Sequence, residues 1–179
     1  MFASVKARFQ DTKTIARLCT EAEQCARAAG RVKPGSEHFV LAALRLPEPS
    51  AAQAFNRLGL DAETFSQAIA AQFSQALEAV GVLVTPSAQA GSGSAARVAP
   101  APALYEAEAS GQALLQRLAE SRKLREARGL LGADVLLASA QEEHSIASRA
   151  FASLGISKQR LTEAAVDAVA ATRQAASEA

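Results

Sequence analysis

Half of the hydrophobic residues in this chain are alanine: 44 of 88. That one bias constrains the fold more than any other feature. Alanine is the strongest helix former, yet it buries little surface, so a helical chain must build its core from the remaining 44 apolar side chains. Val and Ile total 14 and aromatic residues only 8, so the β-branched and aromatic residues that favour strands are scarce. With Leu, Glu, Gln, Arg and Lys filling much of the rest, the expected class is all-α.

Apolar periodicity places eight helices. The first spans about 12–29, with Ile15, Leu18, Cys19, Ala22, Cys25, Ala26 and Ala29 at helical spacing and Gly30 as a stop. The second starts at Ser36, read as its N-cap, with Phe39, Val40, Ala43 and Leu44 inward. The third starts near Pro49-Ser50, carries Ala52, Phe55 and Leu58, and ends at Gly59. The fourth starts at Asp61, with Phe65, Ile69 and Phe73 inward. Residues 84–102, rich in Ser, Gly, Ala and Pro, read as a flexible connector. Beyond it the same order returns: 104 or 110 to 126, 133–141, 145–154 and 157–176.

The return is also visible in residues. At an offset of 97, Leu18 meets Leu115, Gly35 meets Gly132 and Phe39 meets Leu136; after a one-residue deletion, Phe55 meets Phe151, Gly59 meets Gly155 and Phe65 meets Leu161. The expected architecture is two tandem four-helix repeats, at about 10–80 and 104–176, in one domain. Units this small and this rich in alanine bury little alone, so the halves should share a core across a pseudo-two-fold axis.

Lys and Arg total 19 and Asp and Glu 18, and neither half is biased. Bulk charge thus gives no reason to expect nucleic acid or an anionic membrane as partner. The densest basic stretch, Arg117, Arg122, Lys123, Arg125 and Arg128, is interleaved with Glu120 and Glu126 and lacks aromatic stacking groups; it reads as a solvated helix face. No apolar run reaches the roughly 18 residues of a membrane span, and MFASVKARFQ has no secretory apolar stretch. On one helix Cys19 and Cys25 would stand roughly 9 Å apart along the axis, on different sides, which excludes a disulfide between them. A cytoplasmic setting fits. Two His and two Cys at no ligand spacing predict no metal site, and no cofactor is expected.

GSEHFVLAAL (35–44) followed by AAQAFNRLGLD (51–61) resembles the repeated N-terminal domain of Clp-type AAA+ unfoldases, and GADVLLASA (132–140) with SLGIS (153–157) resembles its second copy. The resemblance covers about 9–169. In some members of that family the acids of the two repeats line pockets for basic or phosphoarginine-bearing degrons, and in the family an apolar groove binds substrate and adaptor peptides. Carried over, it implies binding positions at Glu37 and its neighbours Ser36 and His38, at Thr12, and at Asp134. Leu130 and Leu131 are candidates for the groove. In the second copy Ala133 and Val135 replace a Thr and a His, and Asp134 replaces a Glu, so the first pocket is the better kept. GSGSAAR (91–97) lacks the lysine of a P-loop, so the expectation is a stand-alone recognition domain without ATPase modules.

The implied function is a non-enzymatic peptide-, degron- or adaptor-binding module in protein quality control, modulating delivery to a Clp unfoldase. Expected partners are a peptide or unfolded protein, or the unfoldase or adaptor itself, with no nucleic acid and no membrane. A monomer is the default. The alternatives are a small-ligand-binding regulatory domain and the excised N-domain of a full-length Clp ATPase.

Overall fold

The computed structural model describes residues 2–79, 105–125 and 128–177. Among them there are eight α-helices and no strand: α1 Phe2–Ala28, α2 Ser36–Leu44, α3 Ser50–Leu58, α4 Ala62–Ala79, α5 Ala109–Glu120, α6 Gly132–Ala140, α7 Ile146–Ser153 and α8 Lys158–Ser177. The expected connector at 84–102, Leu104 as a helix start and Glu126 as a helix end all lie outside the described residues.

Local chemistry accounts for most of the boundaries. Gly30, Gly59 and Gly155 adopt positive φ (69°, 69° and 73°), the left-handed turn that ends a helix and that glycine enters without a Cβ clash. Asp61 Oδ1 accepts the Thr64 amide at 2.7 Å and so caps α4; Ser145 Oγ accepts the Ser148 amide at 3.1 Å and caps α7. α6, α7 and α8 begin and end within one residue of expectation, and three other boundaries also differ. The first helix begins ten residues earlier, at Phe2. The second is capped at Gly35, with Ser36 already inside it. The fifth stops at Glu120 and tightens into a 3₁₀ turn, Ser121–Arg125. Arg125 explains that stop. Its guanidinium folds back to the Leu118 carbonyl and to Ser121 Oγ, both at 2.9 Å, satisfying groups at the helix end.

The two sets of four helices interlock. α3 packs against α8, α4 packs against α7, and α2 and α6 meet between them. One hydrophobic core runs through all eight helices. At its middle Phe55, Phe65 and Phe151 form a ring cluster, with centroids 5.6, 6.0 and 4.5 Å apart. Each ring contributes about 1.5–3 kcal/mol by burial and each well-set pair about 0.5–1.5 kcal/mol more. Alanine lets these helices approach closely: Ala42, Ala43, Ala51, Ala54, Ala147, Ala150 and Ala165 are all fully buried. No helix among the described residues is long and apolar enough to cross a membrane.

Candidate functional site

The two helix starts singled out by sequence, those of α2 and α6, use one backbone device. In α2 the His38 amide donates to the Gly35 carbonyl, and His38 Nδ1 accepts the Gly35 amide at 3.0 Å. In α6 the Asp134 amide donates to the Leu131 carbonyl, and Asp134 Oδ2 accepts the Leu131 amide at 2.9 Å. The third residue of each helix therefore holds the cap. This sets His38, not Glu37, opposite Asp134. The two capping residues stand 96 positions apart, one fewer than the two glycines matched at 97.

Asp134 is closed by the chain itself. Arg128 grips both of its oxygens, at 2.6 and 2.7 Å, in a bidentate pair. Those bonds raise the Arg128 pKa above its ordinary value, with burial opposing and Asp11 and Glu48 adding smaller upward contributions. The remaining amides of the α6 start are also taken: Gly132 donates to Glu48 Oε1 and Ala133 to Ser50 Oγ at 2.9 Å. A guanidinium from outside finds this carboxylate occupied.

Asp11 completes the same corner. It is buried, accepts the Leu130 amide at 2.6 Å, and lies 3.4 Å from Arg125 and 3.8 Å from Arg122. Thr12, next in sequence, is exposed. Leu130 is core, 3% exposed, and Leu131 is half-buried against that core, so Leu130 lines no open groove. The basic stretch is a solvated face only in part: Arg122 and Lys123 are exposed, but the other three turn to acids or into the fold. Arg125 is buried, Arg128 holds Asp134, and Arg117 pairs with Glu142 at 2.9 Å. Sequence reasoning missed Asp11 and Glu48 as organising acids; their partners lie 119 and 84 residues away.

The α2 start is the opposite case. Ser36, Glu37 and His38 are all buried, and Ser36 Oγ, Glu37 Oε2 and His38 Nε2 have no hydrogen-bond partner. The Ser36 amide donates to Ser110 Oγ at 3.2 Å. Glu37 curls back over Gly35, where a Cβ would come within 2.6 Å of its carboxylate oxygens. Glu37 Oε1 also lies 3.1 Å from His38 Nδ1, but that nitrogen's lone pair already accepts the Gly35 amide. The ring's hydrogen is then on Nε2, which is a donor.

His38 faces a cavity of about 510 Å³ between the end of α1, α2 and α4. Leu41, Ile69, Ala70 and Phe73 provide apolar wall, and Arg31 and Arg45 stand at its edge. Arg31 lies over the Phe73 ring, 4.5 Å from its centroid. Cys25 is in the same wall, with its thiol pushed up by burial. That keeps it protonated at neutral pH, the reverse of what a nucleophilic cysteine beside a histidine requires. No group of three or more His, Cys, Asp or Glu side chains among the described residues is placed to hold a metal ion.

No family model matches the chain, and no curated protein matches its sequence.

Proposed function

We propose that this chain is a non-enzymatic peptide-binding module of the Clp N-domain kind, built from two copies of a four-helix unit about a pseudo-two-fold axis. Three observations support the duplication at a single offset of 96. The turn glycines Gly59 and Gly155 share one left-handed conformation. α3 packs on α8 as α4 packs on α7. Phe55 and Phe151, which would be symmetry mates, touch each other near the centre.

The observation that carries the functional reading is the cavity at His38. It joins an apolar wall, two guanidinium groups and one buried donor without a partner. Such a site suits an apolar anchor side chain of a peptide, with an acceptor for Nε2 and an acidic neighbour for Arg31 or Arg45. In this reading the peptide belongs to a degron, a damaged protein or an adaptor, and the module modulates its delivery to a Clp unfoldase. The test is a titration with an acidic amphipathic peptide and a phosphoarginine peptide, comparing wild type with Phe73→Ala, Arg31→Glu and Glu37→Ala. The acidic peptide should bind and weaken about tenfold in the first two variants only. Loss confined to Glu37→Ala, with phosphoarginine as the ligand, would move the site to the carboxylate.

The cavity volume also lies in the range of small-ligand pockets, roughly 300–1,000 Å³, which favours a regulatory ligand as the second reading. A small apolar acid that competes with the peptide would support it.

A further inference from the structure

The elbow between α6, α7 and the start of α8 holds a second, smaller cavity, of about 250 Å³. Phe151, Ile156 and Leu161 give it an apolar floor. Ser139 and Glu142 are 1% and 8% exposed, and both line it. Glu142 uses one oxygen on Arg117. Its other oxygen and the Ser139 hydroxyl have no partner. Lys158 and Glu143 also line the cavity; they pair with each other at 3.8 Å, and the one cation paired with Glu142 is Arg117. The residues 96 positions earlier, Ala43 and Leu46, are plain core, so this site has no counterpart among the first four helices.

An ionised carboxylate only accepts hydrogen bonds, and a hydroxyl can accept as well as donate. Two inward acceptors above an apolar floor call for several donors on an apolar stem. An ammonium supplies three donors and charge, and the volume suits one side chain rather than a drug-sized ligand. We infer that this cavity seats a protonated amine on an apolar stem, as carried by a lysine side chain or by a peptide N-terminus beside an apolar residue. The inference involves other helices than the His38 cavity and is tested first with a ligand that is not a peptide.

The experiment is an NMR titration of the whole chain with n-butylammonium, and with n-butanol as the uncharged match. The ammonium should move the amide signals of residues 139–143 and bind at least tenfold more tightly than the alcohol. Glu142→Gln should weaken it about tenfold, and Ser139→Ala about threefold. Phe73→Ala, in the other cavity, should leave it unchanged. Because Glu142→Gln also disturbs Arg117, Ser139→Ala decides the matter should the first variant misfold. A blocked Ala-Lys-Ala peptide and a free-amine Leu-Ala-Ala peptide then separate the two sources. Equal binding of amine and alcohol, no binding of either, or indifference to Ser139→Ala would overturn the inference and leave the cavity to water.

Discussion

The starts of α2 and α6 share one backbone design and differ in how it is closed. At α6 the capping side chain is a carboxylate held by Arg128, and the next amides are taken by Glu48 and Ser50. At α2 the cap is a histidine that lines a cavity and whose second nitrogen has no partner, flanked by a hydroxyl and a carboxylate oxygen also without partners. A buried polar atom without a partner costs roughly 1–3 kcal/mol. The chain avoids that cost at one start and bears it at the other. The difference separates a structural corner from a candidate site, although sequence alone presents both as pockets.

The comparison breaks most visibly at Asp134. Asp134→Ala removes the α6 cap and strands Arg128, and should cost about 2–4 kcal/mol in urea unfolding. Glu37→Ala, at the neighbouring position of the other start, should cost less than about 1 kcal/mol, since its Oε2 has no hydrogen-bond partner and no cation grips the carboxylate as Arg128 grips Asp134. Equal losses would mean that Glu37 has a structural partner after all.

The glycines sharpen the same contrast. A Cβ on Gly132 would lie 2.8 Å from the Ala51 Cβ and 3.0 Å from the Ala43 carbonyl, so Gly132→Ala should cost about 1–3 kcal/mol. The three atoms nearest to a Cβ on Gly35 all belong to the Glu37 carboxylate, the far end of a flexible side chain. Gly35→Ala should therefore cost under about 1 kcal/mol and expose Glu37, as read by thermal melts and by carbodiimide labelling of the carboxylate. Ser50→Ala, which frees the Ala133 amide, should cost about 1–2 kcal/mol by the same melts.

An effect confined to alkaline pH concerns the thiols, both in α1. Burial pushes Cys19 from 9.0 up to about 11, and raises Cys25 in the same sense. The unfolded thiols lose their protons first as pH rises. Their contribution is thus complete below about pH 9 and is lost toward pH 11. Cys19→Ala should flatten that decline in alkaline unfolding curves, whereas changes at α6 should not.

Much of the helical layout was legible in the sequence. Gly30, Gly59 and Asp61 act where their turn and cap chemistry places them, and Phe39, Phe55, Phe65 and Leu18 are buried as their periodicity predicts. Ala29 and Ala52, assigned inward by the same spacing, are exposed, because a run of alanines marks a helix without marking its face. The α2 cap was one residue off because serine is the commoner cap and glycine offers no side-chain signal. His38 was legible as a binding position beside Glu37, but its capping role and the cavity beside it were not, since α1 and α4 build the cavity's other walls.

Alanine-rich composition, helical spacing and the glycine punctuation by themselves determined an all-α chain and many of its helix ends to within a residue. Those are local consequences of backbone preference, set within a few residues. Tertiary structure alone decided that Glu48 and Ser50 cap a helix 84 and 83 residues away, that Asp11 anchors Leu130, and that Arg125 is buried. Such bonds link residues with no sequence proximity. They form only after packing has removed water from both partners, so their pattern is written in the assembled core and not in any one segment.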